Sequence, residues 1–187
     1  MDELKSRAEG IIASTCNTGH KLVWGDGSLD ARIAIVGEAP GAKEEELGKP
    51  FVGPAGMLLD KELKNAGLNR SEIWVTNVVK CRPIKQTDGS ISNRTPTAKE
   101  VKQWFYILME ELEIIGPGII ICAGAIAAKL LIRKDFAIMK EHGMWHDGPF
   151  RTRIIATFHP AYILRQVGRY RDTAIEAFRS DMRKAAE

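Results

Sequence analysis

The feature that most constrains this fold is the alternation of short β-rich runs with helical patterns along the chain. The β-rich runs at 31–36, 72–79, 119–122 and 153–157 predict four strands. Apolar residues at helical spacing predict helices at 3–13, 55–66, from 98 to the glycine at 116, 125–131 and 174–185. This order predicts an α/β fold in which helices cover both faces of a mostly parallel sheet.

A polar or glycine-rich segment directly follows each predicted strand. These segments are 37–41, 77–83, 123–124 and 159–162. Because the carboxyl ends of parallel strands meet at one edge of a sheet, and ligands bind beyond that edge, we expect the four segments to converge on one site.

Length and composition fit one soluble globular domain spanning 1–187. The chain has 187 residues, of which 44% are hydrophobic and 27% are charged. The stretch 114–132 is apolar enough to resemble a membrane span, but Gly116-Pro117-Gly118 interrupts it and Lys129 lies inside it. We expect a buried strand leading into a helix there, and residues 1–7 lack the apolar core of a signal peptide.

Charge and cysteine usage limit the possible partners and the compartment. The net charge is only +3, but the segment 151–184 holds eight basic and three acidic residues. This excess suits contact with phosphates, although a solvated helix face explains it equally well on charge alone. The three scattered cysteines, Cys16, Cys81 and Cys122, argue against a disulfide framework and fit a reducing cytoplasm.

Four side chains at the predicted edge carry useful chemistry. Glu38 supplies a carboxylate, Phe51 an aromatic face in a glycine-flanked loop, Asn77 an amide and His159 an imidazole. An amide offers the acceptor and donors that match N3–H and O4 of uracil, and a histidine can donate to a carbonyl that gains charge as a base leaves. Each also has a simpler interpretation: a solvated carboxylate, a core phenylalanine, a turn asparagine or a packed histidine.

Three ordered motifs resemble the family 4 uracil-DNA glycosylases. They are Gly37-Glu38-Ala39-Pro40-Gly41 with Gly48-Lys49-Pro50-Phe51-Val52-Gly53, then Thr76-Asn77-Val78-Val79-Lys80-Cys81-Arg82-Pro83, then His159-Pro160-Ala161-Tyr162-Ile163-Leu164-Arg165. The likeness covers most of the chain, from about 25 to 165. It implies a three-layer α/β/α sandwich with a central four-stranded parallel sheet, and excision of uracil from DNA after the nucleotide is flipped out.

The resemblance assigns roles residue by residue. Glu38 and His159 would be catalytic, Glu38 by positioning or activating water and His159 by stabilising the departing uracil anion. The residues expected to contact the base are Gly37, Ala39, Phe51 and Asn77. The residues expected to contact DNA are Lys80, Arg82, Ile163, Leu164 and Arg165, with Leu164 filling the gap left in the duplex. The expected partner is DNA containing a deaminated base, bound by a monomer.

The sequence departs from the family at its iron–sulfur cluster, which four cysteines hold. Cys81 matches one of these positions and Cys16 is a candidate for another, whereas Trp104 stands at the position in the following helix and Cys122 matches none. Because such a cluster requires four thiolates, we predict neither a cluster nor another metal, and packing around Trp104 in its place.

Three alternatives stay open at this point. The chain could be a glycosylase for another deaminated base, such as hypoxanthine or xanthine. It could be a module that binds uracil-containing or single-stranded DNA without turnover. A nucleotide-binding α/β protein that uses the loop 37–41 is disfavoured, because Glu38 would repel a phosphate.

Overall fold

The computed structural model describes residues 1–15 and 21–187, and in it the predicted α/β alternation is confirmed. The helices are α1 (Asp2–Thr15), α2 (Ala42–Leu47), α3 (Pro54–Asn65), α4 (Ala98–Ile115), α5 (Ala125–Leu131), α6 (Ile138–Glu141), α7 (Pro160–Arg165) and α8 (Gly168–Ala186). The strands are β1 (Ile33–Gly37), β2 (Trp74–Asn77), β3 (Ile84–Thr87), β4 (Ser90–Asn93), β5 (Ile119–Ala123), β6 (Trp145–Asp147) and β7 (Arg153–Thr157).

The central sheet has five strands in the order β2-β1-β5-β7-β6. The four predicted strands pair in parallel, whereas β6 pairs antiparallel with β7 at one edge. The expected four-stranded sheet is therefore extended by one edge strand. At three residues, β6 is too short to carry a readable alternation of apolar and polar positions.

Alternate residues of the strands face two different apolar layers, as the pleat requires. Ala34 and Val36 of β1 pack with residues of α1, α4 and α5, whereas Ile35 between them packs with residues of α3, α7 and α8. Helices thus cover both faces, and the expected three-layer α/β/α arrangement is confirmed.

The segment 82–96, which is polar and rich in turn residues, contains a small hairpin of β3 and β4. Its turn is Asp88-Gly89, with φ of 48° and 79° at the two residues. Asp-Gly between two extended runs is a known hairpin signal, so this element was readable in the sequence.

The apolar stretch 114–132 is divided among the end of α4, strand β5 and helix α5. Within the described ranges, no helix combines the length and hydropathy needed to cross a bilayer.

Trp104 on α4 lies at the centre of the layer formed by α1, α4 and α5. Its side chain is fully buried in the same cluster as Leu4, Ala8 and Cys81. Trp104 therefore fills the space beneath α1, as we expected of the residue at that helix position.

We expect Trp104→Ala to lower the free energy of unfolding by about 3–5 kcal/mol, because the cavity cannot close fully around so large a deletion. Tyr106→Ala on the same helix is the matched control, since Tyr106 is 66% exposed, and it should change stability by at most about 0.5 kcal/mol. Denaturant unfolding measures both, and equal stabilities for the two variants would contradict this packing role.

Candidate active site

Pairing of β1 with β2 places Gly37 directly beside Asn77 at the carboxyl edge of the sheet. A Cβ atom at Gly37 would overlap both Oδ1 of Asn77 and the ring edge of Phe51. The missing side chain of Gly37 thus lets the amide and the aromatic ring meet at the floor of one site.

Phe51 and His159 form the next wall. Their ring centroids lie 5.8 Å apart with an interplanar angle of 28°. Gly124 follows β5 with φ of 103°, and a Cβ there would lie 3.0 Å from Cβ of His159, so the segment after β5 supports the histidine from below. The predicted convergence of the segments after β1, β2, β5 and β7 is confirmed.

A cavity of about 760 Å³ opens at this edge. Among the residues expected at the site, those that line it are Glu38, Ala39, Phe51, Asn77, His159, Leu164 and Arg165. This volume lies within the range of small-molecule sites.

Asn77 presents an acceptor into this region. The residue is 2% exposed, and its Oδ1 atom is buried without a hydrogen-bond partner among the described residues. Buried polar atoms are rarely left unpaired in native proteins, and an orphan at a cavity floor points to a ligand donor.

His159 is held as a neutral donor. The backbone N–H of Ala161 donates to Nδ1 of His159 at 3.1 Å, so the imidazole proton resides on Nε2. Burial, aided by the positive charge of Arg165, lowers the pKa of His159 to about 4. The ring therefore stays neutral near pH 7 with an N–H to offer.

Glu38 lies half-buried at the end of β1. Burial raises the pKa of its carboxyl group, and the positive charge of Arg165 opposes that shift. A carboxylate with a raised pKa is a stronger base, as proton abstraction from water requires.

Glu44 is a site residue that the sequence reasoning missed. Its carboxylate accepts hydrogen bonds from the backbone N–H groups of Gly41 (3.1 Å), Val52 (3.1 Å) and Gly53 (2.8 Å). It thereby joins the loop after β1 to the loop that carries Phe51. The signal was a glycine followed three residues later by glutamate, a capping pattern at the start of α2.

The end of the β3–β4 hairpin also lines the cavity, through Asn93, Arg94 and Thr95. Arg94 is fixed by Glu100 at 2.7 Å. Arg82 donates to Oδ1 of Asn93 at 2.7 Å and lies 3.4 Å from Glu45, while its expected contact with DNA stays a prediction. Arg82 thus anchors the hairpin at the cavity mouth.

Two of the residues expected to contact DNA are buried, and those two expectations are corrected. Lys80 is fully buried, and its ammonium group binds Glu111, Thr76 Oγ1 and, at 2.9 Å, the backbone oxygen of Asn77. Ile163 is also fully buried, within the layer of α3, α7 and α8. Neither side chain reaches a surface that DNA could touch, whereas the neighbouring Leu164 and Arg165 do line the cavity.

Comparison with known proteins identifies the family. The family model described as "Uracil DNA glycosylase superfamily" matches residues 24–183. The chain belongs to the uracil DNA glycosylase superfamily.

Individual relatives fit this membership. The type-4 uracil-DNA glycosylase of Thermotoga maritima is 42% identical over 145 residues, which cover 77% of this chain and 72% of the relative. The type-4 enzyme of Archaeoglobus fulgidus is 36% identical over 177 residues, covering 91% and 83% respectively. A type-5 uracil-DNA glycosylase of Pyrobaculum aerophilum is 31% identical over 180 residues, covering 87% and 74%.

The residues of this superfamily member do not fit the iron–sulfur cluster of its type-4 relatives. The sequence holds three cysteines, and Cys122 lies inside strand β5, where burial raises the pKa of its thiol. Cys16 lies outside the described residues, and within them no group of three or more His, Cys, Asp and Glu side chains is arranged to hold a metal ion. On α4, the buried Trp104 occupies the position at which the resemblance to family 4 implies a cluster cysteine.

The positive charge of Arg165 acts on both Glu38 and His159. NMR titration of the His159 imidazole tests this effect. We expect the His159 imidazole to show no titration between pH 5 and 8, because its pKa is about 4. Arg165→Ala should raise the pKa of His159 by removing a nearby positive charge, yet leave it below the ordinary value because burial persists. Arg32→Ala, an exposed arginine before β1, is the control. A His159 midpoint near 6.5 in the unmodified protein would contradict the buried neutral ring.

Proposed function

We propose that this chain removes uracil from DNA by hydrolysing the bond between the base and its sugar. The observation that carries the proposal is the unpartnered Oδ1 of Asn77 at the floor of a cavity walled by Phe51 and the neutral His159. The superfamily membership and the type-4 relatives support the same activity.

Base recognition follows from these contacts. The target nucleotide leaves the stack and enters the cavity, where the face of Phe51 covers the base. Oδ1 of Asn77 accepts the N3–H of uracil, and its Nδ2 donates to O4. Cytosine has no N3–H and carries a donor in place of O4, so the same amide orientation disfavours it.

Bond cleavage uses the remaining two groups. The bond between N1 and C1′ breaks, and its electron pair stays on the base, where the charge spreads to O2. The Nε2–H of His159 donates to O2 as this charge develops, in the manner of an oxyanion hole. Water adds its oxygen to C1′, and Glu38 takes up the proton that the water releases.

One chain supplies every side chain in this sequence of steps. We therefore infer that the monomer is the active unit.

The decisive test separates an enzyme from a binding module. His159→Ala should lower single-turnover excision of uracil by about a hundredfold to a thousandfold, because its donor acts only as charge develops. Its affinity for uracil-containing DNA should stay close to that of the unmodified protein. Matched oligonucleotides carrying hypoxanthine or xanthine serve as controls for the base.

Three outcomes would contradict the proposal in different ways. Unchanged excision in His159→Ala would remove the histidine from the mechanism. Binding without excision by the unmodified protein would make the chain a DNA-binding module. Faster release of hypoxanthine or xanthine than of uracil would move the activity to another deaminated base.

We also infer that the chain works without an iron–sulfur cluster, because three cysteines cannot supply four thiolates. Protein purified anaerobically, with iron and sulfide supplied during expression, should be colourless and hold no stoichiometric iron while it excises uracil. A brown protein with about four irons per chain would overturn this inference without affecting the proposed activity.

A further inference from the structure

Two large apolar side chains at the start of helix α8, a few residues after the cavity-lining Leu164 and Arg165, are exposed to solvent. Val167 is 78% exposed and Tyr170 is 80% exposed, the highest values among the large apolar residues described. Arg169 and Arg171 flank Tyr170 and are also exposed. We call Val167, Arg169, Tyr170 and Arg171 the α8 entry patch.

The arginines of this patch are available to a ligand. Within the described residues, neither Arg169 nor Arg171 has a hydrogen bond or ion pair. Farther along α8, by contrast, Arg179 binds Glu62 at 2.8 Å and Lys184 donates to the backbone oxygen of Gly143 at 2.9 Å. In the segment 151–184, Arg179 and Lys184 near the end bind other groups of the protein. The arginines of the stretch 165–171 have no hydrogen bond or ion pair among the described residues.

The patch follows the cavity lining along the chain. Leu164 and Arg165 line the cavity itself, and Val167 is two residues farther along the chain, at most about 7 Å away. Tyr170 is five residues from Arg165 and therefore at most about 18 Å away. Roughly five nucleotides of one DNA strand span the same length, at about 3.4 Å each.

We propose that the α8 entry patch binds the DNA strand that flanks the flipped nucleotide. Tyr170 and Val167 cover a base or sugar of that strand, and Arg169 and Arg171 contact its phosphates. This inference rests on the proposed function, because the cavity is the point from which the strand must run.

The chemistry of the patch favours DNA over another protein surface. The patch combines an exposed aromatic ring with exposed arginines that have no hydrogen bond or ion pair among the described residues, and single strands and flanking nucleotides are bound by such rings and cations. The segment 165–172 holds three arginines, Arg165, Arg169 and Arg171, and one carboxylate, Asp172, so its formal net charge is positive. DNA is a polyanion, and under the proposed function its flipped nucleotide enters the cavity. DNA therefore complements the positive charge of this segment.

Removing the aromatic ring tests the stacking contact. In Tyr170→Ala, the enzyme concentration that half-saturates single-turnover excision should rise about tenfold, since one base–aromatic contact is worth that much or more. The maximal excision rate should not change, because Tyr170 lies outside the cavity. Tyr106→Ala is the matched control: Tyr106 is 66% exposed on α4, a helix that packs on the opposite face of the sheet from α8.

Removing the charges tests the phosphate contacts. The double variant Arg169→Ala with Arg171→Ala should weaken binding to uracil-free DNA and reduce the slope of log affinity against log salt by up to about two. Arg32→Ala is the control, because Arg32 is exposed at the amino end of β1, away from the cavity. Fluorescence anisotropy on a labelled oligonucleotide without uracil measures this term alone.

The outcomes separate this inference from the proposed function. If Tyr170→Ala matches Tyr106→Ala, and the arginine variant matches Arg32→Ala, the patch does not bind DNA. If light scattering shows a dimer that Tyr170→Ala dissociates while DNA binding is unchanged, the patch is an interface between copies of this chain. If the unmodified protein excises no uracil but its DNA affinity depends on Tyr170, the proposed function fails and the patch stands.

Discussion

The whole site depends on the register in which β1 pairs with β2, because that register sets Gly37 opposite Asn77. A slip of one residue would turn every side chain of a strand to the other face of the sheet, and the amide of Asn77 would leave the cavity. Glu44 extends the same constraint into the loops, since its one carboxylate holds backbone N–H groups of both the first loop and the loop carrying Phe51. The sheet thus fixes the floor of the site, and a buried carboxylate fixes its wall.

Arg165 lines the cavity and also shifts the pKa values of two of its titratable groups. Its positive charge lowers the pKa of both His159 and Glu38, so it favours a neutral imidazole and an ionised carboxylate together. Burial acts on the two groups in opposite directions, lowering the pKa of the histidine and raising that of the glutamate. The cavity therefore combines a neutral imidazole N–H with a carboxyl group whose pKa burial raises.

The sequence predicted the parts of this fold that local pattern encodes. Strand 153–157 and helix 125–131 were predicted with the bounds that the structure has, because a short β-rich apolar run marks the first and a helical pattern of apolar residues marks the second. Strand β6 was missed because three residues carry no period, and Lys80 was assigned to DNA because its motif gives no sign of Glu111, which lies 31 residues farther along the chain. Burial of a charge depends on a distant partner, and local spacing cannot report it.

The buried pair of Lys80 and Glu111 holds the end of β2, where Asn77 lies, against helix α4. Glu111 on α4 accepts from Nε1 of Trp74 at 3.1 Å and from Oγ1 of Thr76, while Lys80 donates to the backbone oxygen of Asn77 at 2.9 Å. Burial lowers the pKa of the Lys80 ammonium group, and the adjacent Glu111 carboxylate opposes that shift. These hydrogen bonds join α4, β2 and the turn after Asn77. Loss of one partner of such a buried pair costs about 3–5 kcal/mol. The helix that carries Trp104 is thereby fixed to the strand that ends in Asn77.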